Sequence, residues 1–357
     1  MEGRIIMLHS KITIAIPPGA TIREQLETRG MKQKEFAHRM GLSEKHISRL
    51  INGQVELTQD VALRLESVLG VPANFWNNLE VIYREKIARV NAENDLERDS
   101  EFASAFPYAK MAALNWVPAT RKKEEKAQNL RHFFEVARLD LIDGLRIPGI
   151  AYRRTGANNT SDYSLAAWAQ KARLEARNHK TDLINIGKLE REIPRIREMT
   201  VKSPDVFCGE LVELFSRCGI ALVFLPHIGG SFLHGATFYD GKHIVMGLTV
   251  RGKDADKFWF SLLHEMCHIL RGHINVQSET TVEQEYEADS FSRDSLIPPE
   301  KYRNFIDSGC FTKDCIMTFA RQIGMAPGIV LGRLQKENFV SYNMYNDLKI
   351  KYQISSC

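Results

Sequence analysis

The sequence predicts an α+β multidomain chain with an all-α N-terminal domain, a helical middle region and a mixed α+β C-terminal domain. Three observations carry that expectation. Residues 33–52 have the spacing of two short helices joined by a tight turn. Residues 78–200 are mostly helical by pattern. From Pro204 onward, short apolar runs broken by Asp240-Gly241 lead into an apolar helix that carries two histidines. The expected division is 1–78, 79–200, 201–300 and 301–357, the last a helical extension packed on the third.

Gln33 to Asn52 reads as a helix-turn-helix. Ala37 is small enough for two helices to cross closely, and Gly41 can take the positive φ of the turn between them. Phe36, Met40, Leu42, Ile47 and Leu50 occupy the buried positions. Ser43 stands at the N-cap of the second helix, and Asn52-Gly53 stops it. Thr21 to Arg29 and Thr58 to Leu69 supply supporting amphipathic helices, and Val71 to Trp76 ends the domain core. In such a motif the second helix enters the DNA major groove. Glu44, Lys45, Ser48 and Arg49 then face base edges, with Ser43 beside them at the helix start. Arg49 can fork onto guanine and Glu44 can accept from cytosine, while Gln33, Lys34 and Asn52 contact phosphates. The charge fits this reading. In a chain of net charge +4, the segment 29–52 sets Arg29, Lys32, Lys34, Arg39, Lys45 and Arg49 against only Glu35 and Glu44. A single module binds DNA weakly, so a homodimer on a palindromic operator of double-stranded DNA is expected.

The middle region says less. Asn78 to Leu96 is a long charged helix able to run out of the first domain. Arg121 to Lys126 reads as a solvated helix start. Leu130 to Leu139 and Leu165 to Arg177 read as amphipathic helices, separated by a polar loop from Arg153 to Ser164. Trp116 and Trp168 belong to a core. No nucleophile or phosphate-loop pattern occurs here, and the role of the block stays open.

In the C-terminal part, Val206 to Arg217 is a helix and Ile220 to Leu225 a buried strand. Gly235 to Tyr239 and His243 to Leu248 flank Asp240-Gly241, a two-residue hairpin signal. His243 to Leu248 is the candidate for an edge strand able to pair with an extended substrate; a hairpin that only completes the sheet fits almost as well. Next comes His264-Glu265-Met266-Cys267-His268, in a helix made apolar by Phe258, Trp259, Phe260, Leu262 and Leu263. Residues four apart share a helix face, so His264 and His268 can offer two imidazoles to one metal ion. Glu265 lies one step round the helix, where it can act as catalytic base on a metal-bound water without being a ligand. Further on, Glu285 and Asp289 again stand four apart. Glu285 supplies the third ligand of a catalytic Zn2+ site, and Asp289 braces His264 through its other ring nitrogen.

The alternative for these two acids is a solvated stretch shared with Glu279, Glu283 and Glu287. Ala288, Phe291, Leu296 and Ile297 oppose it, because they give the segment an apolar face that must dock. Arg271 and Ile274 stand where a metzincin needs Gly and His, which excludes that class. His273, one residue off, reads as a surface residue or a support for the ligands, and Cys267 as a small apolar filler. His234, Tyr286 and Arg293 are the candidates for stabilising an oxyanion. Helix, strands, metal helix and carboxylate helix, in that order, make the domain zincin-like.

Six cysteines show no paired framework, and Cys310 and Cys315 lack partners at zinc-ribbon spacing. The chain has no signal-peptide pattern and no apolar run of spanning length, so a reduced, cytoplasmic protein without a membrane partner is expected.

Residues 18–85 resemble the antidote type of the XRE-like helix-turn-helix family, close to HigA antitoxins, with Asn74-Phe75-Trp76 matching that group's tail. Residues 205–300 resemble the ImmA/IrrE metallopeptidase family, through His264-Glu265-x-x-His268 and the run Glu285-x-x-Ala288-Asp289-x-Phe291 leading to Leu296-Ile297-Pro298. Gly324 to Leu334 is similar more loosely, and Cys267 departs from the Gly or Ala common there. The resemblance implies a DNA-binding transcriptional regulator whose zinc endopeptidase cleaves a partner repressor or antitoxin. The alternative is an antitoxin or repressor of a toxin-antitoxin operon, partnered by a co-encoded toxin, whose metal domain senses or binds without proteolysis.

Overall fold

The computed structural model describes residues 8–144, 159–229, 234–249, 254–274 and 280–353. Contacts divide the chain into two compact units, residues 1–101 and 102–357. Together they form a mostly helical α+β multidomain chain with a helix-turn-helix at its N-terminal end.

The first unit opens with an antiparallel ribbon, β1 (Leu8–His9) and β2 (Ile14–Ala15). Five helices follow: α1 (Gly19–Thr28), α2 (Gln33–Met40), α3 (Glu44–Ile51), α4 (Gln59–Leu69) and α5 (Ala73–Phe102). Phe36, Ala37, Met40, Ile47 and Leu50 are buried in their common core, and Leu42 packs against it. Gly41 has φ +64°, the left-handed geometry that ends α2 and that a side chain would strain. Val71 to Trp76 ends the core, as expected, and also opens a helix. Trp76 is fully buried, with Nε1 donating to Val71 O at 3.1 Å, while Phe75 is exposed. Residue 78, the expected domain end, therefore lies inside α5. The ribbon is pinned to α5 within this unit, as Thr13 Oγ1 donates to Glu93 Oε1 at 3.0 Å and Asn94 Nδ2 donates to His9 O at 3.3 Å.

The second unit contains α6 (Tyr108–Ala113), α7 (Lys123–Phe134), α8 (Asn159–Ala176), α9 (Ile186–Arg191), α10 (Ile193–Met199) and α11 (Pro204–Arg217). The expected loop from Arg153 lies outside the described residues up to position 158, and from Asn159 it is already α8. Three strands then form one sheet: β3 (Ile220–Phe224), β4 (Gly235–Asp240) and β5 (His243–Leu248). Their order is β3-β5-β4, with β5 parallel to β3 and antiparallel to β4.

This order corrects the expectation for His243 to Leu248. That strand is central, and β4 is the edge. The hairpin turn joins the two strands but does not say which docks on β3. Composition does: Ile244 to Leu248 is an unbroken buried run, as a strand covered on both faces requires, whereas β4 carries Thr237 and ends on the half-buried Tyr239 and Asp240.

Helix α8 packs against β3 and β5, with Ala167, Trp168, Ala169 and Ala172 fully buried, so part of the middle region is structural backing for the sheet. On the other face, Leu222, Met246 and Leu248 join a core with Phe207 and Leu211 of α11 and with α12 (Ala255–Leu270). Four more helices follow: α13 (Val282–Leu296), α14 (Pro299–Asp307), α15 (Lys313–Ile323) and α16 (Pro327–Lys336). Among the described residues no single helix is long and apolar enough to cross a membrane. The bent pair α15 and α16 passes on length and composition, but Ile316, Phe319, Ile329, Val330 and Leu334 are buried in the same core as Trp259. Cys310 and Cys315 form a disulfide in the turn that leads into α15. The expectation of no paired framework is thereby corrected for these two cysteines, while Cys208, Cys218 and Cys267 are free thiols among the described residues.

Candidate metal centre and helix-turn-helix face

On the first unit, the α2–α3 face presents the residues that the sequence singles out. Gln33, Lys34, Ser43, Glu44, Lys45 and Arg49 are exposed, and Ser48 and Asn52 are half-buried. Ser43 also caps α3, its Oγ accepting from His46 N at 3.2 Å. Asn52 Oδ1 accepts from Arg23 Nη2 of α1 at 3.4 Å, which adds a cation that sequence reasoning missed.

On the second unit, α12 and α13 pack side by side and bring four predicted residues together. His264 Nε2 and His268 Nε2 are 3.1 Å apart. Glu285 reaches them from α13, with Oε2 at 3.3 Å from His264 Nε2 and Oε1 at 3.6 Å from His268 Nε2. One ligand atom from each of the three lies within 4.8 Å of the others. Tetrahedral zinc with bonds of about 2.0–2.1 Å requires ligand separations of about 3.3 Å, so the donor set and its spacing fit that ion. Asp289 Oδ1 accepts from His264 Nδ1 at 3.0 Å, leaving Nε2 as the atom turned toward Glu285.

The charges are strongly coupled. Burial works against a proton on His264, but the bonds to Asp289 and Glu285 outweigh it and raise the imidazole to about 10. Glu285 is held down at about 2, chiefly by His264 against the cost of burial, and Thr280 adds a 2.6 Å hydrogen bond. His268, buried beside a cationic neighbour, drops to about 4 and stays neutral. A divalent cation among these groups would take over the role of the His264 proton. Glu265, on the same helix, lies near enough to His264 and Glu285 to interact with both and reaches the edge strand of the sheet. It is 8% exposed, burial lifts its carboxyl to about 7, and Thr237 Oγ1 of β4 donates to Oε2 at 2.7 Å. Gly235, also on β4, makes this approach possible: a Cβ there would stand 2.9 Å from Glu265 Cγ.

Glu287 is exposed but paired, with Arg271 at 3.1 Å and His273 at 3.3 Å; Glu279 lies outside the described residues. Of the two readings of His273, the support for the ligands is the one the structure fits. His273 is buried, with Nδ1 at 3.2 Å from His268 Nδ1. Cys267 is fully buried and its thiol is pushed up to about 11 by burial, as a filler should be. His234, Tyr286 and Arg293 all line one cavity of about 670 Å³ that reaches Asp289 and is walled by Phe260, Ile297 and Ile329.

Comparison with known proteins bears on the first unit. Residues 22–76 match the helix-turn-helix family model. An uncharacterized HTH-type transcriptional regulator, YddM of Escherichia coli, is 35% identical over 63 residues, or 18% of this chain and 67% of that protein. Virulence-associated protein I of Dichelobacter nodosus is 31% identical over 81 residues, covering 22% of this chain and 75% of the relative. Antitoxin HigA-1 of Vibrio cholerae is 42% identical over 57 residues, covering 16% of this chain and 53% of its own length. A solved structure, an addiction module antidote protein of a HigA family from Coxiella burnetii, shares 28% identity across 24% of this chain and 92% of that one, with a TM-score of 0.22. The chain carries a helix-turn-helix domain of the regulator type, the architecture that sets its second helix in the DNA major groove. It belongs, through residues 22–76, to the helix-turn-helix family.

Proposed function

We propose that this chain is a DNA-binding regulator that carries a zinc-dependent endopeptidase in a zincin-like domain of the ImmA/IrrE type, and that it cleaves a partner repressor or antitoxin. The observation that carries the reading is the convergence of His264, His268 and Glu285 beside a buried Glu265. Zinc bound there would supply an acidified water and a Lewis acid for the scissile carbonyl. Glu265 would serve as the base that accepts a proton and the acid that returns it to the leaving amine, and a carboxyl near 7 suits both roles. Thr237 steadies Glu265 through Oε2. The outer edge of β4 pairs with no strand among the described residues, so an extended substrate segment can add to it. His234, Tyr286 and Arg293, on the wall of the neighbouring cavity, are the candidates to hold the developing oxyanion. Through α2 and α3 a homodimer reads a palindromic operator, which confines the cut to a gene-control circuit.

Glu265→Gln tests the mechanism. The variant is expected to keep one zinc per chain by metal analysis and to lose cleavage of the repressor or antitoxin made by the adjacent gene. Undiminished cleavage would refute it. A second reading is an antitoxin or repressor whose metal domain binds without proteolysis. It is favoured by the relatives reported above, among them an antitoxin, which match the N-terminal domain. Stoichiometric zinc together with a stable, uncut complex with the adjacent gene product would decide for it.

A further inference from the structure

We infer that His273 and Glu287 form a positioning pair that fixes His268 in the tautomer and orientation the centre needs; this rests on the metal reading of His264, His268 and Glu285. Three contacts define the pair. His268 Nδ1 lies 3.2 Å from His273 Nδ1, His273 Nε2 lies 3.3 Å from Glu287 Oε2, and Glu287 Oε1 lies 3.1 Å from Arg271 Nε.

These contacts allow one consistent placing of protons. A ligating His268 Nε2 carries no proton, so the neutral ring holds its proton on Nδ1. That N–H donates to His273 Nδ1, which must be the bare nitrogen of its ring. The His273 proton then sits on Nε2 and donates to Glu287, whose other oxygen accepts from Arg271. The reverse order fails. A proton on His273 Nδ1 would make His268 Nδ1 the acceptor and move the His268 proton onto Nε2, where the lone pair is needed.

Local structure explains why the pair forms. The chain leaves α12 through Gly272, and His273 N donates back to His268 O at 2.8 Å, which folds the His273 ring under His268. Both rings are buried, at 6% and 8% exposure, so solvent does not readily replace the contact. Glu287 sits two residues beyond Glu285 on α13. One helix therefore sets both imidazoles, His264 directly through Asp289 and His268 at one remove through His273. Supporting groups of this kind orient metal-ligating histidines generally.

The test is the zinc affinity of the full chain, measured by competition with a chromophoric chelator. His273→Phe keeps a buried ring without nitrogen, whereas His273→Asn keeps an acceptor close to the position of Nδ1. Phe is expected to weaken zinc binding by about 10- to 100-fold and Asn to recover most of that loss. Glu287→Gln, at a partly exposed position, is expected to lose about 3- to 10-fold. Native affinity in the Phe variant overturns the pair, and so does an equal loss in Phe and Asn, which would mean packing alone. If the Phe variant does not fold, as judged by circular dichroism without zinc, unchanged affinity in both Glu287→Gln and Glu287→Ala overturns it. A native chain whose zinc binding is insensitive to His268→Ala overturns the metal reading itself, and the pair with it.

Discussion

Thr237 Oγ1 donates to Glu265 Oε2 across 2.7 Å and so ties the edge strand β4 to the metal-motif helix α12. The bond favours the ionised carboxylate, opposing the burial that lifts Glu265 to about 7. Thr237→Val removes the donor at nearly constant volume, so the Glu265 pKa should rise further. The acid limb of the pH–rate profile is expected to move up by about one pH unit, since a hydrogen bond to a charged group contributes about 1.5–3 kcal/mol. A limb that stays in place, or moves to lower pH, would separate Glu265 from the rate-limiting proton transfer.

Gly235→Ala tests the close approach from the opposite side. Its Cβ would meet Glu265 Cγ and Leu248 Cδ2, each at 2.9 Å. The variant should be less stable by about 1–3 kcal/mol in denaturant melts. It should cleave at least tenfold more slowly, at about the cost of 1.4 kcal/mol in the barrier, with zinc content unchanged.

Zinc uptake should release a proton. His264 is raised to about 10 without metal, so it is protonated at pH 8, where Glu265 at about 7 is already ionised. Ligation requires the neutral ring. Titration calorimetry at pH 8 in two buffers of different ionisation enthalpy should give close to one proton released per zinc. Affinity should also rise about tenfold per pH unit below the His264 pKa. The same shift has a sign for folding. Without metal, the stability His264 contributes is complete below its unfolded value of about 6.5 and is lost as pH rises toward about 10.

DNA binding separates the exposed residues of the first unit by their contacts. Arg49→Ala should cost about 1–3 kcal/mol on the preferred operator and relax discrimination at one base pair. Lys34→Ala should weaken all sequences alike and lower the slope of log K against log salt by about 1. Fluorescence anisotropy over a salt series measures both. Identical behaviour of the two variants would refute the assignment of roles.

The candidate metal centre was legible because helix geometry is local. A spacing of four places His264 with His268, and Glu285 with Asp289, whatever the rest of the chain does. Asp289 and His273 were legible as candidate supports, but Thr237 and Glu287 were not, because their contacts depend on how separate elements meet. Thr237 reaches Glu265 only because β4 lies over α12, and Glu287 reaches His273 only because the chain turns at Gly272. The helix-turn-helix was equally readable from Gly41 and Ser43. The 30-residue length of α5 was less so, because Asn74-Phe75-Trp76 is as compatible with a closing turn as with a helix start. The central place of β5 was written in its unbroken apolar run and was missed in favour of chain order.

The alanine-rich back of α8 carries a practical consequence. Cutting the chain just before Pro204 would keep the histidine motif and all three strands yet strip the cover from Ala221, Val223 and Val245, which are buried in the intact chain. An excised piece expected to hold metal therefore keeps α8, as the second compact unit from Phe102 does, and a fragment chosen by motif alone is expected to aggregate.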